Sequence, residues 1–481
     1  MEQRKPLIGI VLANGWSIKN LLYSGVMAEL QRHFDILGWV ASECVTEIRS
    51  LAEKFGVYNV IWREFHDWDE AAMHRLIRQF QKSLLSERYH IATEKIASRS
   101  ARGRRRKWQR VTAKAVKMIA GTPLGLGSMQ LASKIRQHLG NKSFYKKDFQ
   151  DFRPELIFTG YPLDFKEDPI IYEARANGIP VATIVPSWDN LTSKGVIYRG
   201  YERVFVWNEL MKREALQFYP EYQPRQIVPI GVPRFEIYRQ PLPPEFQREP
   251  FLRSLGLDPN KRLLLFANSP MSMFPEQPQV IKHLCDAMHD GSLPRDVQLL
   301  VRCHPRDTFE AYDQFNKFER VRVWYPKELK TGNNTDLKFY DWIPNPNDLW
   351  ILSAMLRHSV VSMNPFSTMT LDAAICDIPI ANIAYDGDVV KPYYASIVSA
   401  YDYSHQAPLV KIGASVLCKS REELISSINA YLNNPSIHHD KRRELAQTFC
   451  GFYSGSAVDR LVESLIELCV DIGILTGTLD G

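Results

Sequence analysis

Three stretches of the chain carry more reactive side chains than a turn requires. The first is Pro186-Ser187-Trp188-Asp189-Asn190-Leu191-Thr192-Ser193-Lys194-Gly195, directly after the apolar run Pro180–Val185. A carboxylate such as Asp189 can take the proton of an attacking hydroxyl, and Lys194 can hold a phosphate or orient that carboxylate. Trp188 and Asn190 flank them; a polar turn with Trp188 packed beneath it is the competing explanation. The second is Leu299-Leu300-Val301-Arg302-Cys303-His304-Pro305. Side chains alternate along a strand, so Arg302 and His304 share a face, and two donor groups on one face suit a phosphate oxygen. A histidine that only caps the strand end is the alternative. The third is Met363-Asn364-Pro365-Phe366-Ser367-Thr368, running into Asp372. There Ser367 and Thr368 open a helix, and hydroxyls beside free backbone N–H groups attract anions. An ordinary helix cap uses the same residues.

Each stretch follows a buried apolar run, which raises the question of what positions it. Leu7–Ala13, Ile36–Val40 and Val57–Trp62 read as strands, with helices over Lys19–His33 and Glu43–Phe55 between them. From Asp67 to about Met118 the chain has few breakers and reads as one or two long helices. Glu155–Gly160, a helix at Ile170–Asn177 and Pro180–Val185 form a βαβ unit, which requires a parallel sheet and a right-handed crossover. Arg203–Trp207 and Ile227–Ile230 continue the alternation. Residues 239–250 hold four prolines and no periodicity, the best linker in the chain. The alternation then restarts with strands at Arg262–Ala267, Val297–Cys303, Val321–Trp324, Ser359–Met363 and Ile378–Ile383, and helices at Glu276–Met288, Asp348–Leu356, Thr368–Ile375 and Glu422–Leu432.

The fold class is therefore α/β, with two Rossmann-like domains facing a cleft. The expected boundaries are 1–238 for the first domain, including a helical insert at about 68–150, and 251–455 for the second. Residues 456–481 form a terminal helix with a wet stripe at Glu463, Glu467 and Asp471. In open sheets the ligand sits beyond the carboxyl ends of the strands. That rule adds Asn14, Asp164 and Ser269, each just past a strand, to the candidates. Asp164 is the next choice of base if Asp189 serves another purpose.

Several chemistries are disfavoured. No GxGxxG follows a strand, and GxxxxGK[ST], HExxH and GxSxG are missing. The seven cysteines never form a CxxC or CxxH pair, which argues against a disulfide framework and a zinc ribbon and for a reducing cytosol. Leu7–Ala13 ends at Asn14-Gly15 without a small-residue cleavage site, as a strand rather than a signal peptide would. No run of 18 apolar residues is long enough to span a membrane.

Charge is segregated. Between Lys95 and Lys147 there are fifteen Lys and Arg and no acid, which leaves 45 basic against 54 acidic residues, a net of −9, in the remainder. The centre of this run is Arg104-Arg105-Arg106-Lys107-Trp108. A solvated face, a nucleic-acid site and an anionic membrane surface all compete to explain it. Membrane docking is the favoured expectation, at about 1 kcal/mol per Lys or Arg near such a surface. Trp108, Val111, Val116, Met118 and Ile119 would then dip among the headgroups. Nucleic acid is not expected as a partner, since Trp108 is the one stacking aromatic at the centre of the run and no groove-reading motif accompanies it.

With these residues in place, the chain resembles GT-B glycosyltransferases and the related CDP-glycerol glycerophosphotransferases of teichoic-acid synthesis. Arg302-Cys303-His304-Pro305 looks like that family's R-x-H-P phosphate site. Asp341-Trp342-Ile343, the helix from Asp348, and Ser367-Thr368 through Asp372 look like the donor-binding half. Trp188-Asp189, with Lys194 six residues after the Trp, matches the W-H-x4-K spacing, so the role of that family's basic histidine falls on Asp189. The T-D-Y-S-S segment is here Asn364-Pro365-Phe366-Ser367-Thr368. A carboxylate base is normal for inverting sugar transfer, so these departures favour a glycosyl donor.

The resemblance implies an inverting, metal-independent transferase that moves a sugar from a nucleotide-sugar to a surface-polysaccharide, capsule or glycolipid acceptor. The nucleotide-sugar is a substrate, and no cofactor is expected. Asp189 and His304 would be catalytic. Arg302, Ser269, Ser367, Thr368, Asp341, Trp342 and Asp372 would hold the donor, and Asn14, Asp164, Trp188, Asn190 and Lys194 would support the acceptor. The enzyme would be cytoplasmic and peripheral on the inner face of the membrane. A polyol-phosphate transferase, a UDP-GlcNAc 2-epimerase-like enzyme, and a membrane- or RNA-binding scaffold remain as alternatives.

Overall fold

Runs of Val, Ile, Leu and Phe without polar alternation make strands buried on both faces, which is the pattern of a parallel sheet. A computed structural model describes residues 4–41, 44–66, 68–99, 116–139, 143–197, 200–305, 307, 312–326, 343–452 and 455–475. Its first sheet contains β1 (Leu7–Leu12), β2 (Asp35–Ala41), β3 (Ile61–Phe65), β4 (Leu156–Thr159), β5 (Val181–Ile184), β6 (Arg203–Val206) and β7 (Ile227–Pro229), in the order β3-β2-β1-β4-β5-β6-β7. The second contains β8 (Arg262–Ala267), β9 (Val297–Arg302), β10 (Val321–Trp324), β11 (Ser359–Asn364), β12 (Ile380–Ile383) and β13 (Val416–Cys418), in the order β10-β9-β8-β11-β12-β13. Every neighbouring pair is parallel. Two doubly wound α/β domains result.

In each sheet the chain winds outward over three strands and then returns to lie beside its starting strand. The reversals fall between β1 and β4 and between β8 and β11. Such switch points leave a crevice at the carboxyl ends of the strands. The helix Ala457–Asp471 leaves the second domain and buries Leu461, Leu465 and Leu468 in one cluster with Ile8, Ile10 and Phe205 of the first sheet. Arg203 of β6 donates to Ser464 of this helix at 2.8 Å. Among the described residues, no helix is long and apolar enough to cross a membrane.

The third strand lies later in the chain than its apolar pattern predicts, at Ile61–Phe65 instead of Val57–Trp62. Val57 is instead buried in the turn after the preceding helix. As an edge strand, β3 leaves Arg63 and Glu64 partly or fully open to solvent, which hid it from a search for apolar runs. The helix expected over Lys19–His33 is broken at Gly25, whose φ of 87° only glycine adopts easily. Its first part is a π-helical turn, Ile18–Leu22. Residues 239–250 are not an open tether: Phe246 is buried, a helix starts at Arg248, and Arg248 donates to the carbonyls of Pro259, Lys261 and His358. The basic run centred on Arg104, Arg105, Arg106, Lys107 and Trp108 lies outside the described residues. So does any account of Asp341 and Trp342.

Gly9 of β1 keeps the middle of the first sheet closed. A Cβ there would lie 2.5 Å from Trp39 Cζ3 and 2.6 Å from Ile157 Cδ1. Trp39 cannot readily yield, because its indole N–H donates to Asp148 Oδ2 at 3.0 Å and its ring stacks on Phe149. Gly9→Ala is therefore expected to cost about 1–3 kcal/mol through overpacking. Urea unfolding would show it as a lower midpoint at unchanged slope.

Candidate functional site

The carboxyl ends of β1, β4 and β5 form one wall of the cleft. Asn14 ends β1 and is spent on geometry: its Oδ1 accepts from the backbone N–H of Trp16 (3.0 Å) and Ser17 (3.1 Å). Its Nδ2 donates to Asp164 Oδ2 at 3.2 Å, tying the end of β1 to the loop after β4. Asp164 Oδ1 accepts from the N–H of Lys166. Ser17 passes so close to Gly160 that a side chain at 160 would collide with it. Both polar residues thus clamp the first switch point.

The loop after β5 reaches across to the second domain. Trp188 is buried, and its indole N–H donates to Thr368 Oγ1 at 3.3 Å. Asp189 accepts from Ser187 Oγ on one oxygen (2.5 Å) and from Ser193 Oγ on the other (2.7 Å). Burial pushes its pKa up, but His405, Lys194 and the two hydroxyls outweigh that and hold it below the usual carboxylate value. Asp189 is thereby a firm anion. Asn190 is buried, while Lys194 is exposed and contributes through its charge. The loop is braced by Lys82, which donates to the Ser193 carbonyl at 2.9 Å and pairs with Glu94.

The opposite wall comes from β9, β8 and β11, adjacent in that order. Arg302 ends β9 with its guanidinium 5.6 Å above Trp324 and 3.9 Å from Asp348 Oδ1. Asp348 also receives the ammonium of Lys19, carried on the π-helical turn of the first domain. Burial raises the Asp348 pKa, yet Lys19 and Arg302 bring it below its ordinary value. His304 begins the loop after β9, half-buried, and its carbonyl accepts from Asp307. Ser269, just past β8, is buried and donates to the Pro365 carbonyl at 3.4 Å. Ser367 Oγ accepts from the N–H of Met369, and Thr368 precedes a helix of seven residues, Met369–Ile375. Asp372, buried in that helix, accepts from Tyr238 at 2.6 Å. Burial raises its pKa against the pull of Arg234 and the Tyr238 hydroxyl.

The Trp188 loop and Thr368 are therefore in contact, as are Ser269 and Pro365. Arg302 and His304 stand two strands from the Ser367-Thr368 segment, about 10 Å at ordinary strand spacing. Three residues of the cleft had no local signature. Lys19 joins the domains through Asp348. Arg234, buried between the rings of Trp207 (4.9 Å) and Phe235 (4.8 Å), donates to Asn20 Oδ1 and to the Pro186 carbonyl. His405 approaches Thr192 from the second domain, with Nδ1 3.2 Å from Oγ1. Lys19 and Asp348, Arg234 and Asn20, and His405 and Thr192 are each more than 200 residues apart, so no spacing rule finds them.

Two α/β domains with opposed switch points define the GT-B architecture. Solved structures of that fold match along nearly the whole chain. A UDP-N-acetylglucosamine 2-epimerase aligns over 100% of this chain and 99% of its own with a TM-score of 0.56 at 11% identity. The UDP-GlcNAc 2-epimerase from Neisseria meningitidis, bound to UDP-GlcNAc, aligns over 96% and 100% with 0.52 at 10% identity. A glycosyltransferase from Rickettsia africae aligns over 98% and 100% with 0.51 at 10% identity. No protein-family model and no curated protein matches the sequence. At such identities the likeness establishes the GT-B fold.

The Lys19–Asp348–Arg302 group makes the domain contact sensitive to acid. A carboxylate with a depressed pKa adds stability above its unfolded value of about 3.9 and loses it as pH falls through the folded value. Asp348→Asn should cost on the order of 3–5 kcal/mol at pH 7 by leaving buried cations uncompensated. Its unfolding free energy should also fall less steeply than that of the unaltered protein between pH 4 and pH 3, as urea titrations at the two values would show.

Proposed function

We propose that the chain is a glycosyltransferase that moves a sugar from a nucleotide-sugar to a hydroxyl acceptor. The observation that carries this reading is the contact of the Trp188-Asp189 loop with Thr368 across the cleft. It sets an acidic, hydroxyl-rich loop of one domain against the strand ends of the other, where Arg302 and His304 supply positive or donor groups. In this reading the donor diphosphate lies among Arg302, His304, Ser269, Ser367 and Thr368, with Asp372 on the same side; the sequence resemblance adds Asp341 and Trp342. These groups stabilise the negative charge that develops on the leaving diphosphate. Asn14, Asp164, Trp188, Asn190 and Lys194 shape the acceptor side, and displacement in one step inverts the anomeric carbon. A surface-glycan or glycolipid acceptor fits the sequence resemblance.

The second reading is a 2-epimerase, as two of the fold neighbours above are. Epimerisation needs no acceptor. Conversion of UDP-GlcNAc by the protein alone would establish it, and label transfer to an added acceptor without that conversion would establish transfer. In either assay His304→Ala is expected to lower kcat by about 10²–10³, the usual loss when one donor to a developing charge is removed. Thermal unfolding should change little, since His304 begins a loop and leaves the sheet intact.

We also propose peripheral attachment to the cytoplasmic face of an anionic membrane. Support comes from the acid-free run and from the helix Pro123–Leu139, whose outward side chains include Leu124, Leu131, Lys134 and Ile135, with Leu124 65% exposed. Met118 is exposed before it, whereas Val116 faces inward and leaves the set of residues expected to meet headgroups. Replacing Arg104, Arg105, Arg106 and Lys107 with Glu should release the protein from anionic vesicles in flotation assays and spare turnover of a soluble substrate. Binding should also weaken with salt, as charges are screened over roughly 8 Å at physiological ionic strength.

A further inference from the structure

We propose that His405, held by Thr192 and packed against Trp188, is the group that takes the proton from the attacking hydroxyl. The proposal deepens the transfer reading and rests on it. Three separate parts of the chain converge on this imidazole. Its Nδ1 lies 3.2 Å from Thr192 Oγ1 in the loop after β5 and 3.5 Å from Thr93 Oγ1 in the helix Ala92–Arg99. The edge of Trp188 meets the ring with centroids 5.1 Å apart, and Tyr403 packs on it at 5.7 Å. Gln406, the next residue, donates to the Phe366 carbonyl, which fixes the segment against the end of β11. His405 therefore sits where the acceptor-side loop and the donor-side loop meet.

Proton uptake at Nε2 requires the tautomer that carries its hydrogen on Nδ1. The Thr192 hydroxyl has one proton, and it points to the Asp189 carbonyl at 3.2 Å. Its oxygen is then free to accept from the Nδ1–H of His405 in that tautomer. Thr93 Oγ1 also accepts from the N–H of Ser404 at 3.1 Å. Nε2 is left with its lone pair and, among the described residues, no hydrogen-bond partner. Asp189 differs in kind: both of its oxygens already accept hydroxyl protons, and its carboxyl is held below its usual value, which makes it a weak base.

The charges around the ring fit proton uptake. Burial lowers the His405 pKa from its ordinary value, Asp189 raises it and Lys194 lowers it again, leaving a net depression. The ring is thus neutral at pH 7 and able to accept a proton, and the imidazolium formed is stabilised by the Asp189 carboxylate. In the transfer step the acceptor oxygen bonds to the anomeric carbon as the bond from that carbon to the nucleotide diphosphate breaks. The diphosphate leaves with the electron pair, and the hydroxyl proton moves to Nε2.

Two variants and two readouts test this. His405→Asn keeps a donor near the position of Nδ1, preserving the contact with Thr192, but has no base. It should lower kcat by about 10²–10⁴ with the dissociation constant of UDP-GlcNAc unchanged. Asp189→Asn removes the charge that raises the His405 pKa, so the acid limb of the kcat profile should move to lower pH. NMR of histidine-labelled protein without substrate should show His405 as the Nδ1–H tautomer, titrating below 6.5 and lower still in Asp189→Asn. An Nε2–H tautomer, a titration indifferent to Asp189, or a His405→Asn enzyme within threefold of normal would overturn the assignment. An unaltered protein that transfers no sugar to any acceptor would instead remove the transfer reading, and the hydroxyl proton with it.

Discussion

Parallel strands deliver all of their carboxyl ends to one edge of a sheet, and everything in the cleft depends on that constraint. Because each sheet reverses its winding beside its first strand, the loops at β1, β4 and β8, β11 splay apart and leave a crevice. Opposing two such edges buries polar residues from both domains together. Isolated buried ions cost several kcal/mol each unless they are matched. The matching here crosses the domain boundary: Lys19 of the first domain meets Asp348 of the second, and Tyr238 meets Asp372. Charge pairing thus holds the two crevices in register.

The same requirement separates polar groups that build the cleft from those still able to act on a ligand. Asn14, Asp164, Ser269 and Asp189 have their lone pairs or protons engaged by neighbouring backbone and hydroxyl groups. A buried group without its partner pays the full desolvation penalty, so such engagement is the default. The exceptions are informative. Arg302 Nε, Asn190 Oδ1 and Asn268 Oδ1 are buried without hydrogen bonds; Arg302 is the last residue of β9, Asn268 follows β8, and Asn190 sits in the loop after β5. A ligand oxygen or hydroxyl at those positions would satisfy them.

The two-domain fold was legible because uninterrupted apolar runs such as Leu299–Val301 mark strands buried on both faces, and their alternation with helices dictates parallel pairing. The loops at Trp188, His304 and Ser367 were legible for the same reason, since each follows such a run. Legibility failed where the signal is polar or long-range. β3 sits at an edge and carries Arg63 and Glu64, so its pattern resembles a turn. The π-helical turn that presents Lys19 has an ordinary helical composition, and only the packing around it selects the wider turn. His405 meets Thr192 across 213 positions of sequence, and nothing in either neighbourhood announces the other. Asp189 is the sharpest case, because its residue type is visible in the sequence while its two serine hydrogen bonds, from Ser187 and Ser193, are visible only in the structure.

Segregated charge bears on how such a cleft attracts an anion. Outside the acid-free run the chain carries −9, which by itself would repel a diphosphate. Interactions among exposed charges fade over roughly 8 Å at physiological ionic strength, so the net charge of the body matters less than the groups lining the crevice. There Lys19, Arg302, Arg234 and Lys194 stand against Asp189, Asp348 and Asp372, and burial leaves Asp372 with a raised pKa and a weaker hold on its charge. The crevice is thus close to charge balance although the body is negative. The insert takes part in this arrangement: its helix Ala92–Arg99 hooks onto the second domain through reciprocal bonds between Ala92, Thr93 and Ser404. One segment of chain thus leads from the residues beside His405 directly into the densest positive charge of the molecule.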